Sequence, residues 1–248
     1  MNNIAHLICS KNFSGIEQHV HELTSTLTNN SDYDLYIFAD KTLEPHFQNQ
    51  RFQIFPNKFR FNLFALFKLR KLIKDHKIQI LHCHGSKSIL LGRWVSWITK
   101  VELIATVHAN KKRPVATNGF RKTIIVNELL KKTYPAAEVI GNWVNPKLEI
   151  LNSSRDGKFI AVGRLEKIKR FDLLIHAWKG IDEKLEIIGD GLEKNNLLAI
   201  IKDNNLADQI TIRSEVNSQE LGNIYRRAKG LIITSSREGG PRVALEAA

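Results

Sequence analysis

Short apolar runs and longer segments of helical period take turns along the chain. Ile4, Ala5, His6, Leu7, Ile8 and Cys9 make a run of strand length. After a turn at Ser14 and Gly15, apolar positions recur at helical spacing as far as Leu27. The exchange repeats downstream. Runs at residues 78–84, 103–108, 159–163, 185–188, 209–213 and 230–234 read as buried strands, and helical segments begin at Leu63, near Lys169 and after Pro241. Strands alternating with helices argue for parallel sheets joined by crossovers, hence an α/β fold. At 248 residues the chain can bury a sizeable core. It divides into two similar halves near residues 147–156, where Pro146, Asn152, Ser153, Ser154 and Gly157 loosen it.

The candidate chemistry is densest in the last eleven residues. Glu238 and Glu246 stand with seven residues between them, across a Gly239-Gly240-Pro241 turn that follows an apolar run. Pro241 suits the first helical position, where its missing N–H would have no partner. Loop amides beside a helix start offer a seat for a phosphate. A carboxylate beside such a seat suits a ligand with hydroxyls as well as phosphate; the competing reading is a surface loop with an ordinary helix-start glutamate. Upstream, a strand ends at Gly163 and a helix opens near Lys169, so Arg164 and Lys169 could converge at the strand's carboxyl end. Arginine as a planar fork and lysine as a point charge can share a diphosphate; a solvated basic loop is the alternative, and Lys167 fits that description. Gly189-Asp190-Gly191 ends another strand tightly. In the N-terminal half, His82 and His84 alternate with Cys83 and so share one strand face. A metal would want a third ligand and a fourth position. No spaced Cys or His partner is visible, and no metal site is expected.

These segments, in this order, resemble the retaining glycosyltransferases of family four, which have the GT-B fold and include many lipopolysaccharide and capsule sugar transferases. Glu238-Gly-Gly-Pro-Arg-Val-Ala-Leu-Glu246-Ala is similar to the family's E-x(7)-E signature, with the proline placed early. Phe159-Ile-Ala-Val-Gly163-Arg164-Leu165, Lys169 and Phe171-Asp172 resemble its V-G-R-L-x-x-x-K-G-x-D text, Arg170 replacing the glycine. Gly189-x-Gly191 falls in its expected place. Residues 78–84 resemble D-x-x-H-x-H, His108 closes the T-x-H strand end, and Gly15 keeps one glycine of a usual pair, Ser14 replacing the other. The stretch between His108 and Ile124 is short for the family.

The resemblance implies two Rossmann-like domains facing a cleft, residues 1–148 on the acceptor side and 149–248 binding the nucleotide sugar. It implies transfer of a sugar from a nucleotide-diphosphate donor to a lipid-linked or oligosaccharide acceptor hydroxyl, without a metal or other cofactor. Carried over by position, Arg164 and Lys169 neutralise the diphosphate, the Gly239 and Gly240 amides meet phosphate or sugar, and Glu246 meets the ribose. Glu238 and His108 reach the transferred sugar, and Gly15 lets backbone approach the donor. Relatives continue past the position of Ala248, so the second domain reads as incomplete. The rival expectations are an inactive fragment that binds only nucleotide or membrane, and a nucleotide-sugar epimerase or hydrolase on the same fold.

Charge adds a partner to consider. Lys and Arg number 37 against 25 Asp and Glu, a net +12. The excess concentrates in residues 58–77, where Lys58, Arg60, Lys68, Arg70, Lys71, Lys74 and Lys77 meet Asp75 alone. Phe59, Phe61, Leu63, Phe64, Leu66 and Phe67 interleave, and from Leu63 their helical spacing reads mostly as core. The remaining face suits an anionic leaflet or plain solvent. No RNA-recognition or helix-turn-helix text accompanies the charge, so nucleic acid is not expected. Cys9 and Cys83 fall in expected strands and read as reduced core thiols. The first residues carry no basic n-region, and the apolar stretches are too short to span a bilayer. The expectation is a cytoplasmic protein, peripheral on the inner face of the plasma membrane.

Overall fold

The computed structural model describes residues 2–30, 33–48, 50–56, 63–109, 111, 113–143, 157–236, 238 and 240–248. Two compact units emerge, Met1–Asn142 and Trp143–Ala248. The expected boundary at 148/149 lies outside the described residues.

The first unit runs β1 (Asn2–Ile8), α1 (Gly15–Asn30), β2 (Tyr33–Ala39), β3 (Arg51–Ile54), α2 (Leu63–Asp75), β4 (Ile80–His84), α3 (Ser86–Ser96), β5 (Glu102–Val107), β6 (Lys122–Ile125) and β7 (Glu138–Val139). Its seven strands pair in parallel in the order β3-β2-β1-β4-β5-β6-β7. The apolar runs become strands because a sheet covered by helices has no wet face to fill with polar residues. Leu7, Leu81, Cys83 and Ala105 are buried against Leu69 of α2 and Ile89 and Val95 of α3. Ile8 and Ile37 meet Val20 of α1 in a second core.

The second unit runs β8 (Phe159–Val162), α4 (Phe171–Ala177), β9 (Leu185–Ile188), α5 (Lys194–Asp203), β10 (Ile210–Arg213), α6 (Ser218–Arg227), β11 (Gly230–Leu231) and α7 (Arg242–Ala247). Its parallel sheet has the order β10-β9-β8-β11. Ala161 and Ile187 pack on Leu174, Ile175 and Trp178 of α4 and on Leu197 and Ile201 of α5.

Four expectations need correction. In α2 only Ala65, Leu69, Leu72 and Ile73 are buried, while Leu63, Phe64 and Phe67 are 73%, 67% and 58% exposed. The stripe that meets the sheet is narrower than the apolar sequence. Residues 57–62, including Lys58 and Arg60, lie outside the described set. Pro241 sits just before α7 with extended torsions (φ −68°, ψ 106°), and Arg242 takes the first helical position. The last strand is short: beyond Leu231 it continues only as the hydrogen bond from Ile232 N to Ile160 O, 2.8 Å. Cys9 follows β1 rather than lying within it, and is half-buried, whereas Cys83 is buried; both thiols are free.

Candidate functional site

In the second sheet β8, β9 and β10 step one way and β11 returns to the other side of β8. Loops leaving the carboxyl ends of β8 and β11 therefore diverge, and such a switch point leaves a crevice where ligands of open α/β sheets bind. The loop after β8 carries Arg164 and Lys169. Buried Leu165 anchors it, its N–H donating to Asp190 O at 2.9 Å and its carbonyl accepting from Glu193 N at 3.0 Å. Gly189 and Gly191 make that approach possible. Both have positive φ (151° and 156°), and a Cβ on either would overlap the backbone of Gly163 or Leu165. A short 3-10 turn, Lys167–Lys169, and left-handed Arg170 (φ 54°) then lead into α4.

The loop after β11 is laced to this one. Thr234 Oγ1 donates to Lys169 O at 2.7 Å, and Ser236 N donates to Ile168 O at 3.0 Å. The lacing brings Lys169 Nζ to 2.7 Å from Glu238 Oε1, both side chains only partly exposed. Two residues 69 positions apart thus form one charge pair. Arg164 is turned onto Glu166 at 2.6 Å, and both are solvent-facing. Gly240 turns the chain with φ 137° into α7, and Gly239 lies outside the described residues. On α7, Glu246 receives the Tyr225 hydroxyl at 3.3 Å and lies 3.7 Å from Arg242, which is buried. Burial, then the Glu246 charge, holds the Tyr225 hydroxyl well above its ordinary range, so it stays a donor. Tyr225 and Arg242 were not foreseen, and nothing in their spacing singles them out.

The first sheet has its own switch point between β1 and β4. Gly15 opens α1 there, positioned by the loop before it. Glu17, almost fully buried, accepts from Ser14 N (2.9 Å), Ser14 Oγ (2.7 Å) and Ser10 Oγ. The Ser14-x-x-Glu17 spacing is the readable signal of this capping arrangement. On the strands, His6 of β1 pairs in register with His82 of β4. His82 and His84 do share a face, their ring centroids 4.1 Å apart. The absence of a histidine partner is overturned. His6 Nδ1 lies 3.0 Å from His84 Nε2, His84 Nδ1 lies 3.3 Å from His108 Nε2, and His19 of α1 meets the His108 ring edge-on at 4.7 Å. His82 Nε2 bonds Thr106 Oγ1 at 2.7 Å. Burial, aided by the neighbouring imidazoles, pulls His82 and His84 well below the ordinary 6.5 and His6 down to about 3. Two triplets, His6 with His82 and His84, and His19 with His84 and His108, hold ring nitrogens within 4.8 Å of one another. The linear sequence hid this because the five rings come from β1, α1, β4 and the residue that follows β5.

Comparison with known proteins gives the family of both units. The family model for Glycosyltransferase Family 4 matches residues 13–140, and that for Glycosyl transferases group 1 matches residues 147–248. The amylovoran biosynthesis glycosyltransferase AmsD of Erwinia amylovora is 26% identical over 94% of this chain and 74% of its own length. An uncharacterised glycosyltransferase of Methanocaldococcus jannaschii, MJ1178, is 28% identical over 94% of this chain and 72% of its own length. Among solved structures, Anabaena Alr3699/HepE with UDP and glucose superimposes with a TM-score of 0.83 at 16% identity, covering 100% of this chain and 78% of that one. The lipopolysaccharide outer core galactosyltransferase WaaB gives 0.75 at 18% identity, with 100% and 78% coverage. No helix among the described residues is long and apolar enough to cross a membrane. With its first unit matched by one family model and its second by the other, the chain belongs to the glycosyltransferases of family 4 and has the GT-B fold.

Proposed function

We propose that the protein moves a sugar from a nucleoside-diphosphate donor to an acceptor hydroxyl with retained anomeric configuration, in the synthesis of a surface polysaccharide or lipopolysaccharide. The observation that carries this reading is the Lys169–Glu238 pair, a cation and a carboxylate side by side at the switch point of the second sheet. Lys169 neutralises the leaving diphosphate. Arg164 joins it by leaving Glu166, an exposed pair worth little to keep. The Gly239 and Gly240 amides meet phosphate or sugar, Glu238 grips sugar hydroxyls, and Glu246, oriented by Tyr225, grips the ribose. On the first unit, Gly15 admits backbone close to the donor and His108 gives the sugar a hydrogen bond. Charge grows on the diphosphate as the glycosidic bond breaks, so fixed cations favour the transition state over the ground state. They take the place of a divalent ion. Glu238 stands beside a lysine rather than a second carboxylate, which favours front-face attack assisted by the leaving phosphate over the two-carboxylate double displacement.

The names of relatives support the substrate class: AmsD acts in amylovoran biosynthesis, and HepE was solved with UDP and glucose. Exposed Leu63, Phe64 and Phe67 beside Lys71 and Lys74 support a peripheral seat on an anionic leaflet, the inner face of the plasma membrane, near a lipid-linked or oligosaccharide acceptor. Calorimetry with UDP and GDP tests the core of the reading. Lys169→Ala and Arg164→Ala should each weaken binding by about 10–100-fold, the worth of a charge-assisted contact, while EDTA leaves transfer unchanged. Unaltered affinity in both variants, or activity lost to chelator and restored by Mn²⁺, would overturn it.

A further inference from the structure

The histidines of the first unit do more than fill the sheet. His108, His84 and His6 form a line of N···N hydrogen bonds, 3.3 Å and then 3.0 Å long, running from half-buried His108, just past β5, into the core. His84 has both ring nitrogens engaged, so it donates through one and accepts through the other. His6, 2% exposed, ends the line, and its Nε2 has no hydrogen-bond partner among the described residues.

A metal ion is the first alternative to weigh, since three nitrogens of His6, His82 and His84 lie within 4.8 Å of one another. These rings are 2%, 8% and 3% exposed, and the triplet contains no carboxylate or thiolate. His84 has both ring nitrogens engaged, so an ion there would have to displace one of its imidazole partners. A chain of neutral imidazoles has no such cost.

The chain has two polarities, and its buried end chooses between them. If protons point inward, His6 must carry its proton on Nε2, as an N–H donor sealed away from any acceptor. If they point outward, His6 Nδ1–H donates to His84 Nε2 and His84 Nδ1–H donates to His108 Nε2. The buried end is then a bare lone pair. Orphaned buried donors are rarer in folded proteins than under-used acceptors.

We propose that His6 and His84 are positioning residues that lock His108 as its Nδ1–H tautomer, so that it meets a sugar or phosphate oxygen only as a hydrogen-bond donor. The purpose of the lock rests on the donor-facing role read for His108 above; the lock itself does not.

Two-bond ¹H–¹⁵N correlation spectra of histidine-labelled protein, without any donor, report which nitrogen of each ring is protonated. The expected result is Nδ1 protonation at His6, His84 and His108. His6→Leu removes the first donor and should release His108 into a tautomer mixture. His6→Asn, whose amide N–H can stand where Nδ1–H stood, should keep it locked. With a nucleotide sugar, His6→Leu should lower kcat/KM by about tenfold, the scale of one misdirected hydrogen bond, and His6→Asn should restore most of it. Nε2 protonation at His84 or His108, a His108 signal unmoved by His6→Leu, or a stoichiometric metal ion would overturn the lock. If His6→Leu fails to fold, the wild-type and His6→Asn spectra still decide. A His108→Ala variant that transfers at the wild-type rate, with tautomers as expected, overturns the donor role instead and with it the purpose given to the lock.

Discussion

An ammonium 2.7 Å from a carboxylate is a charge partly spoken for before any ligand arrives. On the proposed reading Lys169 has to loosen from Glu238 to serve a diphosphate, so Glu238 would have opposite effects on the two halves of a donor. Glu238→Gln should bind UDP a few-fold more tightly, because Lys169 is freed, yet lose transfer, because the sugar loses its grip. Calorimetry beside a transfer assay checks this, and weaker UDP binding would contradict it. The histidines set a second expectation at this scale. His6, His82 and His84 are held neutral in the folded state, below their ordinary value of 6.5. As pH falls through about 6.5 the unfolded chain gains protons that the folded chain refuses, so stability drops from there toward about 3, where His6 titrates. Each such group contributes a slope of up to about 1.4 kcal/mol per pH unit in that window. Urea midpoints across pH 7 to 5 should fall, and His6→Leu should flatten the fall. Some of this was legible. Arg164, Lys169 and Glu238 follow from text that ends strands, since a strand's carboxyl end is where a parallel sheet presents its loops. The histidine line was not, because only the in-register pairing of β1 with β4 puts His6 beside His84.

At the scale of elements, α1 depends on one buried carboxylate. Glu17 accepts from Ser10 and twice from Ser14, fixing the turn that leads into Gly15. Glu17→Ala would leave those donors without their acceptor and should cost about 1–2 kcal/mol in chemical denaturation. Glu17→Gln, which keeps an acceptor, should cost less; equal losses would argue that the charge rather than the cap matters. The elements also show where periodicity stops informing. Apolar runs located β1, β4, β5, β8, β9 and β10 because a strand covered on both faces needs little else. In α2 the same rule gave the helix and its phase but not the width of its contact. Leu63, Phe64 and Phe67 continue the apolar text past the point where the sheet can cover them. Periodicity describes the helix, and tertiary packing decides how much of it is covered.

For the whole molecule, that uncovered apolar edge and the net +12 belong together. Adsorption to vesicles containing anionic lipid should be strong at low salt and fade as salt screens the charge. Lys68→Glu, Lys71→Glu and Lys74→Glu together should release the protein, and Phe64→Ser with Phe67→Ser should weaken it even at low salt. Sedimentation with neutral and anionic vesicles separates these contributions. Equal binding to both lipids would refute the electrostatic part. The strand order has a consequence of another kind. In each sheet the first strand to be made ends up inside: β1 lies between β2 and β4, and β8 lies between β9 and β11. On the ribosome, β1 must therefore wait with one edge open while the chain as far as residue 84 is synthesised, and β8 waits likewise for residues 230 and 231. Contacts this distant in sequence form late. Each half of the nascent chain thus passes through a stage with an unclosed sheet, when chaperones have most to shield.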